Sequence, residues 1–239
     1  MKSLVISFIC LFMIFGSSSC HGGHKVKKLN ANYTDAIFVK GIQTIPGNIQ
    51  CEYYDLGGEG IAFHDTDSIN SGSGGLNKGA DYLSKFRAQE AVDISYTKFH
   101  DSIDNSKFNI IEPSEGQLYV GWTEPGEWIR YTVDVKTAGT YSIGIMYTAN
   151  AKGQIALVTD ENISTGPMNV LSTYDSQDPI SWRQWHHWNY LDSIGKIDLK
   201  KGLQTLTLHT VKRGQMNYDF LSFNLVTANH ISIHARHYI

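Results

Sequence analysis

VGWTEPGEWIRYTVDV, Val120–Val135, runs from a turn into a strand. Beyond Glu127, the residues Ile129, Tyr131, Val133 and Val135 alternate with Arg130, Thr132 and Asp134, which is the two-residue period of a sheet with one buried face. Upstream, GGEGIAFHDTDSINSGSGG, Gly57–Gly75, is too rich in glycine for a helix. Its order must come from turns, from side-chain hydrogen bonds of residues such as His64, Asp65 and Asp67, or from a bound ion. Further strands are predicted over Ile49–Tyr54, Tyr141–Thr148, Gln154–Val158, Leu203–Val211 and Tyr218–Leu225, with turns at Lys136–Gly139 and Lys200–Gly202. Tyr141, Ile143, Ile145 and Tyr147 share one strand face. Tyr96–Gln117 and Gly166–Ser181 read as long loops that surround one end. Short strands with such punctuation predict an all-β fold, a jelly-roll β-sandwich.

The 239 residues suffice for one such sandwich and leave no room for a second catalytic domain of ordinary size. With a formal net charge of −3 and no basic block, nothing favours a nucleic-acid partner. Thirteen Tyr and five Trp point to strands and to exposed aromatic platforms. The N-terminus reads as an export signal: Lys2, an apolar run over Leu4–Phe15, then small residues leading to Cys20. That run is shorter than the roughly 20 apolar residues needed to span a bilayer. Cys20 resembles the acylated cysteine of a bacterial lipobox, with Ser17 where that pattern usually carries leucine; an ordinary signal with an incidental cysteine is the other reading. The predicted layout is a signal over 1–20, a tether over 21–44, the sandwich over 45–226 and a tail over 227–239, in a protein exported to the cell envelope and held at the membrane by lipid at Cys20. Cys51 is then the one thiol of the mature domain, in an alternating strand, and reads as a small buried hydrophobe.

Four segments, in order, resemble carbohydrate-binding module family 6, a galactose-binding-like β-sandwich. IQCEYYDLGGEGIAFHDTDS is similar to its opening strand and loop, in the longer variant found beside agarases and β-glucanases. FRAQEAVDI, Phe86–Ile94, GWTEPGEWIRYTVDVKTAGTYSIGIMYTA and the closing QMNYDFLSF resemble the family's later segments. The resemblance covers Ile45–Val226. It implies a ligand cleft among the loops, with a sugar held between two aromatic rings and fixed by an asparagine; these map to Trp122, Trp182 and Asn217. Aromatic planes desolvate pyranose C–H faces, and an asparagine amide offers both donor and acceptor to vicinal hydroxyls. It also implies a structural calcium held by Gln50, Glu52 and Asp219. Alternation puts Gln50 and Glu52 on one face; Gln50, where the family usually has glutamate, removes one negative charge.

The other aromatic residues are expected in the core: Trp185 among strand residues, Trp128 and Tyr131 in or near the core. His186 and His187, adjacent on a strand, face opposite ways and read as surface or loop residues. The function implied is a non-catalytic carbohydrate-binding protein that holds a polysaccharide of the agarose-like, β-glucan or xylan class near partner enzymes. Two other classes stay open. A glycoside hydrolase would need two of the carboxylates Glu59, Asp65, Glu90, Asp93, Glu124 and Glu127 placed roughly 5 to 9.5 Å apart. A structural lipoprotein would lack the aromatic pair or the asparagine.

Overall fold

The structure is a computed structural model that describes residues 33–34, 39–40, 42–72, 77 and 82–226. The signal with Cys20, most of the tether and the tail over 227–239 lie outside the described residues. Among the described residues, no helix is long and apolar enough to cross a membrane.

Among the described residues, fourteen strands run in chain order: β1 Tyr33–Thr34, β2 Val39–Lys40, β3 Gln43–Ile45, β4 Gly47–Gln50, β5 Phe63–His64, β6 Ile94–Tyr96, β7 Leu118–Val120, β8 Trp128–Val135, β9 Gly139–Ala149, β10 Gly153–Thr159, β11 Met168–Val170, β12 Asn189–Leu199, β13 Gly202–Lys212 and β14 Met216–Leu225. Apart from the small β1–β2 ladder they form two sheets, a jelly-roll sandwich. One sheet has the order β11-β10-β13-β8-β3, with β5 also on β8; the other has β12-β9-β14-β7-β6, with β4 also on β14. Neighbours are antiparallel except β3, which runs parallel to β8.

The alternation in β8 becomes burial as expected. Ile129, Tyr131, Val133 and Val135 face inward against Tyr141, Ile143, Ile145 and Tyr147 of the opposite sheet, in one core. Each large apolar side chain removed from water there contributes about 1.5–3 kcal/mol. The Tyr131 hydroxyl donates to the Cys51 carbonyl at 3.2 Å, so its polar end is not stranded inside. Cys51 is a free, fully buried thiol. Trp128 lies on the outward face of β8, half-buried, with the Arg130 guanidinium 5.2 Å from its ring centroid.

Two boundaries differ from expectation. Gln43, placed in the tether by sequence, is buried in β3 and pairs with the chain ahead: its side chain accepts from Gln50 N at 2.8 Å and donates to Gln50 O at 3.1 Å. The sandwich therefore begins at Gln43. At the other limit, the opening strand predicted to reach Tyr54 stops at Gln50, where Tyr53 N donates back to Gln50 O at 3.3 Å and closes a turn.

A second cluster, Tyr119, Met146 and Trp188, sits on the outer face of the β9–β14 sheet. The long segment after β6 is pinned over it: Ile110 and Ile111 both donate to the Trp188 carbonyl, at 2.9 and 3.0 Å, while Asn109 accepts from Trp188 N at 3.1 Å.

Candidate functional site

Trp122 follows β7 at one end of the sandwich. Its φ is 47°, a left-handed conformation that costs a bulky residue free energy unless its surroundings enforce it. The enforcement is a hydrogen bond from Trp122 N to Asn217 Oδ1 at 3.0 Å. Gly121 permits this approach, because a Cβ there would lie 3.2 Å from Asn217 Oδ1 and 3.3 Å from the Tyr119 ring. The structure thus brings Trp122 and Asn217 together, with a correction to the role of Asn217. Its amide is fully buried, and its nitrogen donates to Thr148 Oγ1 at 2.8 Å and His186 Nδ1 at 2.9 Å. Both donor hydrogens are used inside the fold, so Asn217 shapes the loop rather than offering its amide to sugar hydroxyls.

Trp182 stands on a 3₁₀ turn, Ser181–Arg183, and is 55% exposed, with no stacked ring among the described residues. Trp185 is not the core residue expected from its neighbours. It is half-buried, with its ring edge-on to His186 at 5.7 Å and its carbonyl accepting from Thr173 Oγ1 at 2.6 Å. Trp185 is therefore one ring removed from the group that Asn217 holds. The signal for it lay in the threefold spacing of SWRQWHHW, which does not distinguish a buried ring from an exposed one.

The two histidines do point apart, but neither is a surface residue. His186 Nε2 meets Asp104 Oδ1 at 2.6 Å, and His187 Nε2 meets Asp178 Oδ2 at 2.9 Å; both rings are buried. Asp104 comes from a distant loop, which no local pattern reveals, and Asp178 from the same β11–β12 segment as the histidines.

Asp65, Asp93 and Glu127 converge near the glycine-rich loop. Burial, together with mutual repulsion, pushes Asp65 up to about 7 and Asp93 up to about 6, and raises Glu127. Their oxygens are spent on the loop. Asp65 accepts from Asp67 N at 3.0 Å and Asp67 from Ile69 N at 2.6 Å, two successive Asx turns. Glu127 accepts from Thr66 Oγ1 at 2.7 Å and Glu124 N at 2.7 Å, and Asp93 accepts from Ser71 N at 2.5 Å. The cavity that these acids line holds about 10 Å³, room for one water and not for a glycosidic bond.

Gln50 and Asp219 line a second hollow of about 460 Å³ on the outer face of the β9–β14 sheet, beside Gln117, Tyr190 and Phe220. Gln117 Nε2 donates to Asp219 Oδ2, while Asp219 Oδ1, though buried, has no hydrogen-bond partner among the described residues. Burial pushes the Asp219 carboxyl up to about 7. Because β4 ends at Gln50, Glu52 sits in the following turn and does not share a strand face with Gln50; it is buried beside Cys51.

Residues 100–227, more than half of the chain, match the family described as carbohydrate binding module (family 6). The chain belongs to that family. Its role is accordingly of the carbohydrate-binding class. No curated protein matches the sequence. Among solved structures, this family 6 chain is similar to a Clostridium stercorarium module determined with cellobiose, at 16% identity over 79% of this chain and 100% of that one, TM-score 0.47. It is also similar to a β-1,3-glucan-binding module from Bacillus halodurans, at 15% identity over 77% and 98%, TM-score 0.45. A third, from Cellvibrio mixtus lichenase 5A with cellotriose, is 13% identical over 76% and 98%, TM-score 0.42.

The calcium that family 6 membership implies can be tested against the donors present. Asp219 supplies a buried carboxylate oxygen that lacks a partner, Gln50 an amide oxygen at the same hollow, and Glu52 a second buried carboxylate from the adjoining turn. These are hard oxygen donors of the kind calcium takes. No group of three carboxylates, histidines or cysteines among the described residues is placed to hold a metal; Asp219 and Glu52 would offer two charges and Gln50 an amide.

Proposed function

We propose that this domain binds polysaccharide, without chemistry of its own, in a loop-built cleft flanked by Trp122 and Trp185 and extended by Trp182. The observation that carries this reading is the left-handed Trp122, held by a fully buried asparagine at the loop end of the sandwich. A half-buried ring locked in an unfavourable backbone conformation is preorganised for contact, which lowers the entropy lost on binding. The ligand panel spans β-glucan, xylan and agarose-like chains, whose pyranose faces all suit an aromatic wall. The sheet-face hollow at Tyr190 and Phe220 offers a second place for a chain, since both rings are partly exposed and stand 5.9 Å apart at 42°. The non-catalytic part of the reading rests on the lack of space between the raised carboxylates. Polysaccharide pull-down and calorimetry, with product analysis, test both parts. Binding without new reducing ends is expected; steady release of oligosaccharide that stops when Asp65 or Glu127 is replaced would turn the assignment to a hydrolase.

The reading extends to the chain outside the described residues. Acylated at Cys20, the full protein would hold glycan at the envelope and raise its concentration near neighbouring enzymes. Detergent-phase partitioning should disappear in Cys20→Ala, and its persistence there would rule out the anchor.

Calcium, bound by Asp219, Glu52 and Gln50, is proposed to stabilise the fold. The pH dependence gives it a signature. Carboxyls whose native pKa lies above their unfolded value of about 3.9 hold their proton more tightly when folded, so they add stability as the pH falls from about 7 to 4. Asp219, Asp65 and Asp93 all have this sign. Chelator-treated protein should therefore melt higher at about pH 5 than at about pH 7.5. Calcium, which selects the ionised form, should raise the melting temperature most near pH 7.5 and flatten that slope, at about that pH and not at the acid end. In Asp219→Asn the calcium response should vanish. A parent protein shown to be metal-loaded, yet melting identically with and without chelator, would remove the site.

A further inference from the structure

We infer that Asp104 and His186 are positioning residues for the sugar-binding ring, acting through Asn217 on the backbone of Trp122. The inference rests on the reading of Trp122 as a binding residue, and it concerns how that ring is held. Trp122 N is a donor whose hydrogen cannot move, so the Asn217 atom 3.0 Å away must be the carbonyl oxygen. The other end of that amide is then NH2, and its two hydrogens go to Thr148 Oγ1 at 2.8 Å and His186 Nδ1 at 2.9 Å. His186 Nδ1 must present a lone pair. The ring hydrogen therefore sits on Nε2, which lies 2.6 Å from Asp104 Oδ1.

Every hydrogen bond in this chain points the same way, from Trp122 to Asn217, from Asn217 to His186 and from His186 to Asp104. Asp104 fixes that polarity because an ionised carboxylate can only accept. It is fully buried and also accepts from Trp188 Nε1 at 2.9 Å and Lys98 N at 2.7 Å. Burial alone would raise its carboxyl, but the hydrogen bonds from His186, Trp188 and Lys98 hold it below the usual range. The His186 ring cannot swing away, since Tyr119, Trp185 and Trp188 stand around it at 5.9, 5.7 and 5.7 Å. One of those rings, Trp185, is the proposed second wall of the cleft, so the same imidazole touches one wall and sets the backbone of the other.

Asp104→Leu tests the polarity. It removes the acceptor that holds the ring hydrogen on Nε2, so the imidazole is no longer committed to presenting a lone pair to Asn217. Amide exchange of Trp122, read by NMR on folded protein without glycan, should speed up by about tenfold or more, the loss of one hydrogen bond. His186→Leu should do the same. His186→Gln, which offers an oxygen to Asn217 and an NH2 to Asp104, should stay within about threefold of the parent. Trp122 exchange unchanged in folded Asp104→Leu and His186→Leu, or lost equally in His186→Gln, would overturn the inference. If the substitutions prevent folding, ring ¹⁵N signals of the unaltered protein decide: a hydrogen on Nε2 with Nδ1 bare supports the chain, and a hydrogen on Nδ1 overturns it. Affinity for laminarin and cello-oligosaccharides, measured on the same variants, keeps the two readings separate. Affinity falling with Trp122 protection supports both; protection lost while affinity holds supports the chain and removes Trp122 from the cleft.

Discussion

Asp178→Ala should cost about 3–5 kcal/mol of stability, the typical effect of stripping a buried charge of its partner. Asp178 is wholly buried and accepts from Arg183 Nε at 2.7 Å, Arg183 Nη2 at 3.0 Å and His187 Nε2 at 2.9 Å. Burial would raise its carboxyl, but the hydrogen bonds from Arg183 and His187 outweigh it and keep the group well below the usual carboxylate range. Removing it leaves the buried guanidinium without its counter-charge and His187 Nε2 without its partner. For a domain of this size the loss corresponds to roughly 6–20 °C in melting temperature. The pair Lys200–Glu161 is a control, with a comparable separation of 2.5 Å but side chains 68% and 52% exposed. Its removal should cost no more than about 1 kcal/mol. Asp178→Ala melting as little changed as that control would show that the knot does not hold this region. The damage should reach function as well, because the segment tied by Asp178 carries Tyr174, Trp182 and Trp185, and Arg183 also donates to the Ser102 carbonyl of the neighbouring loop.

How far the sequence could be read depends on which interactions are local. The faces of β8 and β9 were visible because a strand repeats every two residues and one side is apolar, so Ile129 to Val135 and Tyr141 to Tyr147 declared their burial. The opening strand misled for the same reason: IQCEYY keeps alternating past Gln50, but the chain turns there, and Glu52 leaves the face that periodicity assigned to it. The partners of the site are non-local. His186 finds Asp104 across 82 positions, Arg183 reaches Ser102 across 81, and Trp122 meets Asn217 across 95. Family 6 motifs picked out Trp122 and Asn217 as belonging together. They could not show that the asparagine would be consumed by the fold, nor that a histidine pair would be buried by aspartates from two separate loops. Trp185 shows the limit most plainly, because its exposure depends on how Thr173 and His186 hold the loop.

Replacing Trp122 by glycine separates the ring from the backbone that carries it, and this gives the sharpest test of the cleft. A φ of 47° is unfavourable for tryptophan and free for glycine, so Trp122→Gly should fold with stability within about 1 kcal/mol of the parent. Binding should fare differently. A ring covering ~100 Å² of sugar at ~25 cal/mol/Å² is worth about 2.5 kcal/mol, or roughly 70-fold in affinity. A module with micromolar to millimolar affinity has only about 4–8 kcal/mol in all, so that loss approaches silence in calorimetry. Trp185→Ala should fall in the same range if it forms the opposite wall. Trp182→Ala, at a ring already 55% exposed on its own turn, should weaken only longer oligosaccharides, by a few-fold. The order of the three losses therefore locates the ligand: Trp122 and Trp185 together place it over the Asn217 loop, whereas a dominant loss at Trp182 with Trp122→Gly binding normally would move it outward along the 3₁₀ turn.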